Sequence, residues 1–147
     1  DIGMEKGDDI KDLTEDEVKE RIEKKLVVKV PHFNYRPKGM EFKSYEIDEL
    51  TGVAKLNYEY EEKSAVFVVD NNIKKAIGNT SPHGKEINSY SIVTLIDQID
   101  VEIVENKEDT DIESTFTAAW KYGNAYYQFS GKLEKEDFLK IVESVYY

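Results

Sequence analysis

Polar and apolar residues alternate most regularly over residues 53–62, where Ala54, Leu56, Tyr58 and Tyr60 interleave with Lys55, Asn57, Glu59 and Glu61. A period of two sends successive side chains to opposite faces of a strand, so this segment predicts a β-strand with one buried and one wet face. Residues 40–49 and 64–69 on either side are also strand-like, and the connections Leu50-Thr51-Gly52 and Glu62-Lys63 leave no room for a parallel crossover. The three segments therefore predict an antiparallel meander. Residues 90–96, 99–104, 114–122 and 125–130 give four more strand candidates, the last two joined by Gly123-Asn124, a tight-hairpin signal. Between them residues 105–113 form an acidic turn.

A helical period occurs near each end. Thr14 and Glu17 have the spacing of a capping box, and Val18, Ile22 and Leu26 form a thin apolar stripe, which predicts a helix packed at the domain edge. From about Glu134 a second helix is predicted by Phe138, Ile141, Val142 and Val145 at i, i+3, i+4 and i+7, with Leu133 placed to pack on Phe138 at its entry. Pro31, Pro37 and Gly39 frame a loop carrying His32, Phe33, Tyr35 and Arg36, and a loop so aromatic is expected to fold back onto the core. Residues 71–88 read as a long connection with a short helical turn near Lys75. Residues 1–13 are polar and aperiodic and read as a disordered leader or linker.

Strands and helices are thus segregated along the chain. The predicted class is α+β: an antiparallel, mostly meander sheet of about six or seven strands, with an N-terminal helix and a C-terminal amphipathic helix packed on it, in one domain spanning 14–147.

Charge narrows the partners. With 20 basic against 31 acidic residues the net charge is −11, which repels nucleic acid and anionic membranes, and the pairs Lys24-Lys25 and Lys74-Lys75 read as solvated ends or turns. No nucleic-acid partner is expected. The chain has no cysteine, which removes disulfides and Cys-based zinc or redox sites and is compatible with export. No apolar run reaches the ~18 residues of a membrane span. The first residue is Asp1, which reads as a trimmed start, so any membrane attachment is expected through a segment outside this chain.

Candidate chemistry is thin. The two histidines, His32 and His83, lie far apart beside prolines and assemble no triad. Residues 78–85 resemble a phosphate loop superficially, but five residues rather than four separate the glycines and Glu86 stands where a Mg-binding Ser or Thr is needed. The strongest polar constellation is Asp97, Asp100, Glu102, Glu105, Glu108, Asp109, Asp111 and Glu113. Within it Asp109, Asp111 and Glu113 reproduce positions one, three and five of a calcium loop, after which Ser114 and Trp120 break the pattern. A looser calcium site and an acidic edge that discourages strand pairing are both open readings. Asp100 and Glu102 share a strand face, but one opposite core-facing Ile99, Val101 and Ile103, in water rather than in the cleft that a glycosidase pair needs. Tyr35, Tyr45, Tyr90, Tyr122 and Tyr126 are the tyrosines that could line an exposed face and hold a glycan, peptide or lipid chain. No cofactor is expected.

The stretch from Trp120 through Gly123-Asn124, Tyr126-Tyr127, Gly131 and Leu133 into the final helix resembles the bacterial domain-of-unknown-function 4367 family, with its Trp-turn-Tyr hairpin, Gly and short amphipathic helix. Pro31, Phe33, Tyr35, Pro37, Gly39 and Met40 are similar to that family's opening. Glu134 departs from the pattern, where Ser or Thr is expected as the helix cap. The resemblance implies an extracytoplasmic domain of Gram-positive bacteria, often the outer part of a membrane protein whose inner part is anti-sigma-factor-like, or a secreted protein. It carries no catalytic residue. The expected function is a non-catalytic binding or sensory domain of the cell envelope with an unknown envelope ligand or protein as partner. Its alternatives are a carrier holding a hydrophobic ligand between sheet and helices, and a calcium-stabilised adhesion module.

Overall fold

The computed structural model describes residues 3–8, 13–72 and 86–147. The expected turn near Lys75, the loop at 78–85 and His83 lie outside the described residues. Among the described residues, ten strands and two helices occur in the order β1 (Met4–Asp8), α1 (Glu15–Leu26), β2 (His32–Phe33), β3 (Glu41–Asp48), β4 (Val53–Tyr60), β5 (Lys63–Asp70), β6 (Glu86–Val93), β7 (Asp100–Asn106), β8 (Thr115–Tyr122), β9 (Ala125–Gly131), α2 (Lys135–Glu143) and β10 (Val145–Tyr146).

Eight strands make one antiparallel sheet in the order β1-β3-β4-β5-β9-β8-β7-β6. The meander β3-β4-β5 and the meander β6-β7-β8-β9 are joined where β5 meets β9, so β6 becomes the edge opposite β1. The α+β antiparallel class is as read from the sequence, but the sheet has eight strands rather than six or seven. The additional strand is β1, which corrects the reading of residues 1–13 as a disordered leader: Met4–Asp8 pairs with residues 44–48 of β3. Glu5 anchors it, accepting from Lys25 Nζ at 2.6 Å and from the Tyr45 hydroxyl at 2.8 Å.

Alternation along each strand decides the covered face. Tyr45, Leu56, Phe67, Phe129, Ala118 and Ile103 are aligned by register across six strands and are all buried. Onto this face α1 lays Val18, Ile22 and Leu26, and α2 lays Phe138, Ile141 and Val142. The Phe138 ring sits 5.4 Å from Phe116 and 5.5 Å from Phe129, so aromatic packing fills the layer beneath α2.

The capping box of α1 is present in both directions, with Thr14 N–H donating to Glu17 at 2.9 Å. The helix ends at Val27 in the left-handed region, φ 55°, an expensive conformation for a β-branched residue. At α2, Glu134 occupies the N-cap without a side-chain bond. Val145, expected in the helical stripe, instead belongs to β10, which pairs with β2 and folds the aromatic loop onto the core.

Candidate functional site

The five tyrosines do not share a surface. Tyr45 is buried on the covered face with its hydroxyl on Glu5. Tyr90 faces the same side, under the Lys135 ammonium at 5.1 Å, and its buried hydroxyl has no hydrogen-bond partner among the described residues. Tyr35, in the loop after β2, donates to Asp137 at 3.4 Å and supports Lys140 at 5.9 Å from its ring. Tyr122 and Tyr126, in contrast, come together at one end of the sheet.

The acidic stretch also disperses. Asp111 accepts from Lys132 at 3.0 Å and Glu113 from Lys63 at 2.7 Å, while Asp109 is exposed in the turn. Hydrogen bonding to Lys132 holds the Asp111 carboxyl below its ordinary range. Asp109, Asp111 and Glu113 therefore do not converge as a calcium loop would require, and among the described residues no group of three or more His, Asp or Glu is poised to hold a metal.

Asp97, Asp100 and Glu102 have a different setting, produced by a break in the sheet. The β7–β8 ladder runs from Asn106↔Thr115 to Glu102↔Ala119 and stops. Each strand continues with its other neighbour, β6–β7 to Val93↔Asp100 and β8–β9 to Tyr122↔Ala125. Beyond Glu102 and Ala119 the sheet therefore forks into two hairpins. The fork opens a cleft of about 880 Å³ lined by Asp97, Asp100, Glu102, Lys121, Tyr122 and Tyr126, among others.

Both prongs are held in place. In the β6–β7 connection Thr94 exchanges two bonds with Ile99, its N–H to the Ile99 carbonyl at 3.0 Å and the Ile99 N–H to its Oγ1 at 2.9 Å. Leu95 N–H donates to the Glu143 carbonyl at 3.3 Å, and Asp97 accepts from Tyr147 N–H at 2.7 Å. The other prong is fixed by Tyr147, whose ring stacks on Tyr122 with centroids 3.7 Å apart and whose hydroxyl accepts from Trp120 Nε1 at 2.9 Å. Asn124 at the hairpin tip donates to the Val27 carbonyl at 2.8 Å, tying that prong to the end of α1. The result is a prearranged, half-apolar cleft in which three carboxylates face a single lysine, Lys121, among the lining residues.

Residues 30–145 match the profile of the family described as Domain of unknown function (DUF4367). The chain belongs to the DUF4367 family. No curated protein and no solved structure matches it. Within this DUF4367 domain the matched segment covers β2 through the start of β10, including both prongs of the fork.

A second polar assembly joins α1 to the sheet of the DUF4367 domain. Arg36 grips both carboxylate oxygens of Glu15, at 2.6 Å through Nη1 and through a shorter Nη2 contact. Tyr58 donates to Glu15 at 2.7 Å, and Lys19 lies 3.4 Å from the same carboxylate. Burial pushes the Glu15 carboxyl up, but the Arg36 hydrogen bond and charge, with Lys19 and Tyr58, outweigh it and leave it below its ordinary value. The buried Lys19 ammonium approaches His32 Nδ1 at 3.3 Å, and burial followed by that charge lowers the imidazole pKa. Every carboxylate and cation here is already matched, so the assembly reads as a clamp between α1, the aromatic loop and β4.

No helix among the described residues is long and apolar enough to cross a membrane. The sequence had marked Asp97, Asp100, Glu102, Tyr122 and Tyr126 separately, but not the fork that unites them. It did not pair Glu15 with Arg36 and Tyr58, whose partners stand 21 and 43 residues away.

Proposed function

We propose that this DUF4367 domain is a non-catalytic binding module of a bacterial cell-envelope protein, working outside the cytoplasm, and that the fork between β7 and β8 is its binding site. The ligand class that fits is an extended, positively charged peptide-like segment. The carrying observation is the end of the ladder at Glu102↔Ala119 with both strands continuing. Beyond it the facing backbones of residues 100–101 and 120–121 offer hydrogen-bonding groups that are not joined to each other in the ladder, as strand addition requires. Asp97, Asp100 and Glu102 supply the charge that attracts a basic side chain, and the exposed edge of Tyr122 supplies apolar surface beside the buried Tyr126.

The bacterial envelope setting is what the resemblance to this family implies, and the absence of cysteine is compatible with it. The carrier alternative has less support, because Phe116, Phe129 and Phe138 fill the layer beneath α2.

Calorimetric titration with short extended peptides tests the reading. A lysine-containing peptide is expected to bind and its glutamate counterpart not to. The variant carrying Asp100→Asn and Glu102→Gln should weaken binding by about tenfold or more, as the loss of ~1.4 kcal/mol implies, and raised salt should weaken it further. Equal binding of both peptides overturns the proposal. Hydrolysis of a cell-wall substrate abolished by the same acid-to-amide changes would overturn the non-catalytic reading.

A further inference from the structure

The two edges of the sheet differ sharply. The β1 edge carries Glu5 and Lys6, and Glu5 is tied down by Lys25, Arg21 and Tyr45. Charges of this kind discourage another chain from adding a strand. Among the described residues, positions 87–93 of β6 carry no charge of that kind. Residues 87–96 are ten consecutive uncharged positions in a chain that is 35% charged. The only equally long uncharged run is 122–131, and that one contains β9, an interior strand paired on both sides. The edge strand β6 thus has the composition of an interior strand, and Ile87 and Val93 are about half exposed on it (53% and 51%), with Leu95 and Ile96 exposed in the turn beyond its end.

We infer that β6 pairs edge to edge with β6 of a second copy of this chain, in antiparallel register centred on Tyr90. The occupant follows from the sequence of the strand itself. A two-fold interface must be complementary to its own image. Around Tyr90 the residues are Asn88-Ser89-Tyr90-Ser91-Ile92, a near palindrome. Antiparallel pairing about that centre sets Ser89 against Ser91 of the second copy, Tyr90 against Tyr90, Asn88 against Ile92, and Ile87 against Val93. No charge meets a like charge. The register irregularity between Glu86 and Asn88 falls at Ile87, the outermost of these pairs, and leaves the pairing of residues 88–92 regular. The overall charge of −11 opposes association of two copies, so pairing strengthens as salt screens it. Ser91, Ile92 and Val93 of β6 also line the fork cleft, but self-pairing is read as mass and cross-linking and peptide binding as heat, so the two succeed or fail by different readouts.

Sedimentation velocity over a range of protein and salt concentrations is the test. The expected mass rises from 17.0 kDa toward twice that value with concentration, and does so more readily at higher salt. A Ser89→Lys, Ser91→Lys variant should stay monomeric, because it sets lysine against lysine across the axis while each Ser91→Lys side chain faces Glu102 within its own copy. Its thermal unfolding reports whether it folds. The chain has no cysteine, so a second measurement avoids reliance on that variant. Mixing Ser89→Cys with Ser91→Cys under oxidising conditions should give far more cross-linked dimer than either variant alone. A monomer at every concentration and salt, a dimer that survives the double lysine variant, or cross-linking that ignores the pairing of positions 89 and 91 would each overturn the inference.

Discussion

The Tyr147 hydroxyl accepts the Trp120 indole N–H at 2.9 Å, and this bond, with the stack of Tyr147 on Tyr122, ties Tyr147 to the strand that forms one wall of the fork. Trp120 is the only tryptophan and is 2% exposed, so its N–H has no ready alternative partner in water. Tyr147→Phe keeps the stack on Tyr122 but removes the acceptor. The expected cost is about 1–3 kcal/mol of folding stability, the penalty of an unpaired buried donor, read by denaturant unfolding followed through the Trp120 fluorescence. A loss indistinguishable from zero would show that the indole finds another acceptor.

Trp120→Ala removes the indole itself. Its ring lies 5.9 Å from both Phe67 and Tyr127 in the covered layer, so a loss of about 3–5 kcal/mol is expected. An unfolding free energy lowered by less than ~1 kcal/mol would contradict that placement.

Glu15 gives the acid dependence its sign. Its carboxyl sits below its ordinary range in the folded state, so the unfolded chain binds more protons at acidic pH and stability rises with pH there. The stabilisation is fully present above the unfolded value near 4.5 and is lost as pH falls through the lowered folded value. Glu15→Gln should flatten that part of the stability–pH curve. Near neutral pH it should cost toward the low end of about 3–5 kcal/mol, since Arg36 keeps 27% of its side chain in solvent. A variant whose acid slope matches the parent would remove Glu15 from the account.

Val27 predicts a gain. It is 74% exposed and holds φ 55°, where Cβ crowds the backbone and glycine does not. Val27→Gly should raise stability by on the order of 0.5–1 kcal/mol, net of glycine's larger entropy loss, seen as a thermal midpoint higher by about 2 °C. The Asn124 bond to the Val27 carbonyl uses backbone only and should survive.

What the sequence revealed, and what it hid, follows from range. Ala54, Leu56 and Tyr58 repeat at a local period, so β4 and its face were legible, as were α1 from Thr14 and Glu17 and α2 from Phe138 and Ile141. β1 was not, because Met4–Asp8 has no alternation and is held by β3, some 40 residues away. Tyr126 and Tyr127 are neighbours with opposite orientations, and only the register of β9 against β8 assigns each to its face. The fork was invisible for a similar reason. Where a ladder stops depends on how two strands diverge in space, and nothing in the local pattern of Asp100-Val101-Glu102 or Trp120-Lys121 records it.

The most direct test of the fork as a binding site is backbone amide mapping by NMR, titrating the intact chain with the lysine-containing extended peptide. The account predicts that the largest shifts and slowed exchange fall on residues 100–101 and 120–122, with smaller effects at Asp97 and Tyr126. Perturbations concentrated elsewhere, or no saturable change at any residue of the two prongs, would contradict it.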